Sequence, residues 1–284
     1  MTTVIEPEIG TARTRDGIEL RTAHWPAVGT RRASLLVVHG IAEHIGRHAH
    51  VAARFAQAGI ETHGYDVRGF GASSGRRAYV ERWSQYHDDL EDQLAAIRAG
   101  PVILYGHSLG GLIALGYVLT ESPRASPDLL VLSAPAIVAT VARWKRALAE
   151  IIGRIAPRVE IPNDLPRGGL SHDPRVELEY RSDPLNVHRT TARLGLELFH
   201  EQARVHARLS HVSALPVPTY VLHGSDDPIV PLAATARLGG RENVTRRVYP
   251  GLRHEMHNES EASAVIDDTI AWIEARLGSS GRAT

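Results

Sequence analysis

Short apolar runs alternate with helical segments along most of this chain, and the alternation fails only once. Ser34–Val38, Ile60–Tyr65, Val102–Tyr105 and Leu129–Leu132 are short, apolar and rich in β-formers, as buried strands are. His50–Ala58, Tyr86–Ala99 and Leu109–Leu119 fall between them with helical spacing; Gly59 ends the first and Gly100-Pro101 the second. This order predicts an α/β fold with a mostly parallel central sheet and helices on both faces. An antiparallel hairpin should precede it, because the extended runs Thr11–Thr14 and Ile18–Trp25 flank Asp16-Gly17. After Pro135 the pattern breaks. From Ile137 to about Leu215 the signals are helical or irregular, rich in Arg and Pro. Val217–Leu222, Leu232–Leu238, Arg246–Tyr249 and the amphipathic Ala262–Leu277 then restore it. The expected organisation is a core formed by residues 1–136 and 216–284, interrupted by an inserted helical cap over 137–215, with a frayed end from Gly278 to Thr284.

Composition narrows the function classes. Of 284 residues, 43% are hydrophobic, enough for a buried centre. Lys+Arg and Asp+Glu balance at 32 each, so no long-range field steers the chain to nucleic acid. The absence of cysteine excludes disulfides, thiolate nucleophiles and Cys-ligated metals. Among the 16 histidines, no pair stands at metal-binding spacing with a carboxylate on a helix, so no metal is expected. Met1 to Gly10 carries Glu6 and Glu8 without an apolar segment, unlike a signal peptide, and no run approaches the roughly 20 apolar residues of a membrane span. A soluble, cytoplasmic chain is expected. Its oligomeric state is not written in the sequence.

Gly106-His107-Ser108-Leu109-Gly110 matches G-x-S-x-G directly after an apolar run and directly before a helical one. In that setting a sharp turn lifts the serine hydroxyl above the sheet, and the glycines let neighbouring backbone pack closely. A Ser-Gly turn that merely opens a helix is the plainer reading, and the strand–turn–helix context argues against it. A serine alcohol needs a base and an orienting acid. His254 follows the last predicted strand, and Asp226 and Asp227 follow the one before, in the expected order Ser, Asp, His. Either aspartate fits the spacing. The N–H of Leu109, at a helix start, and that of Ile41, after a strand, are candidate oxyanion donors.

At these residues the chain resembles the monoacylglycerol lipase and lysophospholipase branch of α/β-hydrolases, of the bacterial type. His39-Gly40-Ile41-Ala42-Glu43-His44-Ile45-Gly46-Arg47 is similar to that family's H-G-x-G-E-H-x-x-R segment. Tyr65 to Gly75 contains a D-x-R-G-x-G-x-S-x-G loop, Asp173-Pro174 and Asp183-Pro184-Leu185 resemble two cap markers, and Gly251 to Glu255 resembles a G-x-x-H-E loop. The resemblance covers nearly the whole chain. It implies an α/β-hydrolase fold and a serine hydrolase that cleaves a monoacylglycerol through an acyl-enzyme. It selects Asp227 as the acid, beside Ser108 and His254, through the pattern H-G-x-x-D-x-x-V-P. It implies that Glu43, Arg47 and His257 line the polar, glycerol-side end of the pocket, where a structural ion pair is the plainer reading of Glu43–Arg47. Asp66 and Arg68 read as loop braces. Two positions depart from the pattern: Ala42 replaces a glycine and His48 an aromatic residue, so the oxyanion loop should be shaped differently.

Ile137, Val141, Trp144, Leu148, Ile151, Ile152 and Ile155 recur at helical spacing, with Arg143, Lys145, Arg146 and Arg154 between them. Such a helix either dips into a lipid surface, giving transient peripheral contact with a membrane, or packs its stripe on the domain beneath. The competing functions are an esterase, lactonase or thioesterase acting on a small metabolite, and a non-catalytic ligand-binding protein on the same fold. The second would ordinarily lack a triad member, and none is missing. No metal or organic cofactor is needed for this chemistry.

Overall fold

The computed structural model describes residues 5–98, 100–121, 123–138, 143–163 and 165–280. Its strands are β1 (Glu8–Arg13), β2 (Glu19–Trp25), β3 (Ala33–Val38), β4 (Ile60–Tyr65), β5 (Val102–His107), β6 (Leu129–Ser133), β7 (Glu160–Pro162), β8 (Arg189–Thr191), β9 (Thr219–Gly224) and β10 (Val244–Tyr249). Its helices are α1 (Ala49–Gln57), α2 (Ser84–Ala96), α3 (Leu109–Val118), α4 (Arg143–Ile155), α5 (Pro174–Ser182), α6 (Ala192–Leu209), α7 (Ala233–Ala236) and α8 (Ala262–Ser280). The main sheet runs β1-β2-β4-β3-β5-β6-β9-β10. The β1–β2 and β2–β4 pairs are antiparallel, and the rest of the sheet is parallel.

The period of two along a strand explains why both faces are covered. On β3, Leu36 and Val38 join one core with Leu90 and Leu94 of α2 and Leu112 and Leu115 of α3. Leu35 and Val37 join the other, with Val51 and Phe55 of α1 and Ile266, Ile270 and Ile273 of α8. Every side of α3 is buried, which accounts for its near-continuous apolar sequence. This is the α/β-hydrolase architecture.

Four elements differ from the sequence reading. The segment between β6 and β9 contains a two-stranded antiparallel ribbon, β7–β8, where only helix and loop were expected. Three residues per strand are too few to show a period. Ile137 is not part of the amphipathic helix: it is buried in the core at the end of β6, and α4 begins at Arg143. Val141, and the side chains of Arg143 and Lys145, lie outside the described residues, as does Ala99, the expected end of α2, whose last helical residue is Ala96. α8 runs through Gly278 to Ser280 instead of fraying there.

Most of the stripe on α4 faces solvent: Trp144, Leu148, Ile151 and Ile155 are 66, 46, 55 and 78% exposed, while Ile152 is half-buried. The helix rests on α6 through Gly153, where a Cβ would lie 2.8 Å from that of Leu196. Asp173 caps α5 by accepting from Arg175 N–H, and Asp183-Pro184 ends it. Asp183 also ties the segment to the core, accepting at 2.8 Å from His44 Nε2.

The loop after β4 is braced as its sequence suggests. Asp66 accepts from the N–H groups of Ile45 and Ala72 at 2.8 and 2.7 Å. Arg68 pairs with buried Asp89 at 2.6 Å and with Asp16 at 2.7 Å. Burial still pushes Asp89 up to about 6 against the pull of Arg68. Arg68→Ala would strand that carboxylate and should cost about 3–5 kcal/mol. Without the guanidinium, Asp89 titrates still higher in the folded state than in the unfolded chain. The folded state then holds the extra proton, and the deficit must grow as pH rises from about 5 to 8. Urea denaturation at both pH values measures it, and a deficit independent of pH contradicts this account.

Candidate active site

Ser108 is the single residue between β5 and α3, at φ 51° and ψ −114°. A non-glycine residue in that region is strained and must be held there by its surroundings. Ser108 N–H donates to Ser133 O at 2.9 Å, and Ser108 O accepts from Leu112 and Ala136 N–H at 3.1 and 2.9 Å. Glycine is required on both sides. A Cβ at Gly106 would stand 2.5 Å from Gly110 O, and one at Gly110 would collide with the Val38 carbonyl. That second approach sets α3 against the end of β3, so the loop after β3 lies beside the serine.

The same loop is clamped from within. Glu43 Oε1 accepts from Gly40 N–H at 2.5 Å and faces His48 Nε2 at 3.1 Å; its Oε2 accepts from Arg47 Nε at 3.1 Å. His39 accepts from Val67 N–H through Nε2 at 2.8 Å, so its Nδ1–H donates to Gly40 O at 2.8 Å. Ala42, where the family pattern has glycine, sits at φ 66°. Among the described residues no acceptor pairs with the N–H of Ile41 or of Leu109.

The structure brings Asp227 and His254 together. His254 Nδ1 donates to Asp227 Oδ2 at 2.7 Å, which leaves Nε2 to accept a proton. Asp227 Oδ1 accepts from Ile229 and Val230 N–H at 2.8 and 2.9 Å. Burial alone would raise the Asp227 pKa, but His254, His223 and the amides hold it well below the usual carboxylate range. Burial alone would lower that of His254; the Asp227 carboxylate outweighs it and leaves it above the ordinary imidazole value. Asp226 is exposed and only accepts from Ser225.

Ser108, His254, Ile41, Glu43, His107, Leu165, Leu170, Tyr180, Ile229 and Glu255 enclose one cavity of about 30 Å³, room for one or two waters. Arg47 is not on its wall. It stands behind Glu43 and Glu255, paired with Glu255 at 2.6 Å, and borders an outer cleft of about 620 Å³ with His44, His50 and Asn258. His257 is not on the wall either. Its ring is wedged against His48 and His107, with centroids 4.7 and 4.9 Å away, and neither of its nitrogens has a hydrogen-bond partner. Burial holds His107 and His257 well below the ordinary imidazole range, so both are neutral at pH 7.

Two residues of the site were not singled out from sequence. His223 Nε2 lies 3.2 Å from Asp227 Oδ2 and 3.0 Å from Val230 O, and steadies the carboxylate. Glu255 is the second carboxylate on the cavity wall. Both stood inside motifs already read, as the first residue of His223-Gly224 and the residue after His254; only their partners were invisible. The one group of described residues at metal-ligand spacing, His24, Glu61 and His63, lies outside the cavity.

A family model described as serine aminopeptidase, S33, of the hydrolase type, matches residues 29–261. A monoacylglycerol lipase of Mycolicibacterium smegmatis is 34% identical over 276 residues, covering 92% of this chain and 95% of that protein. The crystal structure of Paleococcus ferrophilus monoacylglycerol lipase superposes with a TM-score of 0.80 at 26% identity, over 89% of this chain and 97% of that one. A soluble variant of Saccharomyces cerevisiae monoglyceride lipase shares the fold at a TM-score of 0.86 and 21% identity, over 97% of both chains. The chain therefore belongs to the S33 family of α/β-hydrolases and is a serine ester hydrolase.

Proposed function

We propose that the substrate is a monoacylglycerol, cleaved at Ser108 through an acyl-enzyme. The observation that carries this reading is the composition of the wall around Ser108. Glu43 and Glu255 line it, and an ionised carboxylate only accepts hydrogen bonds. A glycerol leaving group brings two hydroxyl donors to meet them. Arg47 is bonded to both carboxylates and, with His48, favours the charged form of Glu43. Ile41, Leu165, Leu170 and Ile229 supply an apolar wall for the acyl chain.

In this mechanism Ser108 Oγ attacks the ester carbonyl while His254 Nε2 takes its proton. Asp227 holds the imidazole and stabilises its cation. The N–H groups of Ile41 and Leu109 receive the oxyanion. His254 returns the proton to the departing glycerol oxygen, then activates the water that releases the fatty acid. His257 supports His107 from behind. Residues 137–215 act as the cap, and the exposed stripe on α4 makes transient contact with a lipid surface. No helix among the described residues is long and apolar enough to cross a membrane.

Turnover of a monoacylglycerol and of the ethyl ester of the same acid tests the substrate. A hydrogen bond from a glycerol hydroxyl to a charged carboxylate is worth about 1.5–3 kcal/mol, so kcat/KM should favour the glycerol ester by at least roughly tenfold. Glu255→Gln should narrow the ratio. Equal rates for both esters in wild type would leave an esterase of a simpler alcohol as the better reading.

Asp227→Asn should lower kcat on the order of 10⁴-fold, because the amide can neither stabilise the imidazolium nor fix its tautomer. Asp226→Asn should match wild type. Since His254 must be neutral to act as base, kcat/KM should fall as pH drops through a single pKa above the ordinary imidazole value of 6.5. An acid limb centred below that value would show that Asp227 does not govern the base.

Leu148→Glu places a charge where the side chain is already exposed, so the melting temperature should hardly change. Activity on micellar monoacylglycerol should drop severalfold, and activity on a water-soluble short-chain ester should not. Equal losses on both would remove the interfacial role.

A further inference from the structure

The flank of the sheet opposite β10 carries a group of ligating side chains that ester hydrolysis does not use. Glu8 on β1, His24 on β2 and His63 on β4 are successive register partners across three strands. Glu61 precedes His63 by two residues and so shares its face. Two strands, β4 and β3, separate His24 from β5, which leads to Ser108.

With His24 neutral, the hydrogen bonds within this group do not all close. His24 Nδ1 lies 3.1 Å from Glu8 Oε2, and His24 Nε2 lies 3.1 Å from Glu61 Oε1. A neutral imidazole has one N–H, so one of its nitrogens then presents a lone pair to a carboxylate. His63 Nε2 lies 3.5 Å from Glu61 Oε2, is shielded from solvent and makes no hydrogen bond. The two rings are stacked 4.5 Å apart at 10°. The ligand atoms of His24, Glu61 and His63 all lie within 4.8 Å of one another.

We propose that His24 Nε2, His63 Nε2 and the Glu61 carboxylate bind one divalent transition-metal ion of the zinc type. Two imidazoles and one carboxylate are a donor set that such ions accept, with water in the fourth position. Two ligands at about 2.1 Å from one ion are at most about 4.2 Å apart, so the rings must tilt toward each other. Glu8 then acts behind the ligands. It accepts the Nδ1–H of His24, which fixes the tautomer that leaves Nε2 for the metal. Arg31, which donates to Glu61 Oε2 at 2.8 Å, is the competitor the ion displaces; its side chain is 41% exposed. The bound ion pins the β1–β2 hairpin to β4.

Isothermal titration calorimetry of the chelator-treated full chain with Zn²⁺ tests this. Wild type should bind one equivalent with a Kd in the micromolar range or tighter, and zinc should raise its melting temperature. His24→Ala and His63→Ala should each weaken binding at least tenfold and abolish the melting shift. Glu8→Gln changes only an exposed side chain, so it tests the site in a protein whose fold is undisturbed. It should weaken zinc about 10- to 100-fold, whereas Arg31→Ala should tighten it. The absence of stoichiometric binding in wild type overturns the proposal. So does unchanged affinity in His63→Ala and Glu8→Gln, which would place the zinc among the other histidines.

Discussion

The close approach of Gly110 to the carbonyls that end β3 is the constraint on which the rest of the site depends. A side chain there would overlap the Val38 carbonyl, and even a Cβ would stand 2.6 Å from that of His39. Without one, α3 can start directly above the sheet, and Ser108 is forced into its strained conformation. The same contact brings the loop after β3 beside the nucleophile: a Cβ at Gly40 would lie 3.1 Å from that of Ser108. Ser108 and the loop after β3 are thus one packing unit. The strain at Ser108 is sustained by the wholly buried α3 and by the β6 backbone that Ser108 N–H bonds.

Electrostatics then divides the labour among the histidines. His107 and His257 are buried and lack a carboxylate partner of their own, so they remain neutral. His254 is equally buried but has Asp227 at 2.7 Å, and it alone of these three is raised. A proton taken from the serine therefore has one favourable destination. Glu43 contributes differently. Despite burial it is held well below the ordinary carboxylate range by His48 and Arg47. Its bond to Gly40 N–H fixes the oxyanion loop, which offsets the freedom that Ala42 loses at positive φ.

The sheet was legible because fully buried parallel strands read as unbroken apolar runs, as Leu35, Leu36, Val37 and Val38 do. The serine and the histidine stood out because turn geometry ties them to fixed offsets from strand ends, whereas the choice between the two aspartates came from the family resemblance, since either fits the spacing. What stayed hidden depended on partners distant in sequence. The bond between Glu255 and Arg47 spans 208 residues, and nothing local announces it. The pairing of His24 with His63 arises from cross-strand register, which no helical spacing shows. His257 was placed on the pocket wall by its motif, yet packing turned it inward. The α4 stripe was visible as a period, but a period does not say whether water, lipid or protein meets it.

The cavity at Ser108 has room for one or two waters. α4 is packed along its inner face on α6: Gly153 closes on Leu196, Arg146 lies over the Phe199 ring, and Glu150 meets His200 at 3.1 Å. Its large apolar residues Trp144, Leu148, Ile151 and Ile155 face outward. α6 is in turn anchored through Leu194, Val205 and Leu209 in the same core as α3, and Ile137 is fixed there too. Under the proposed function a lipid surface meets that outward face of α4 and leaves its packing on α6 intact.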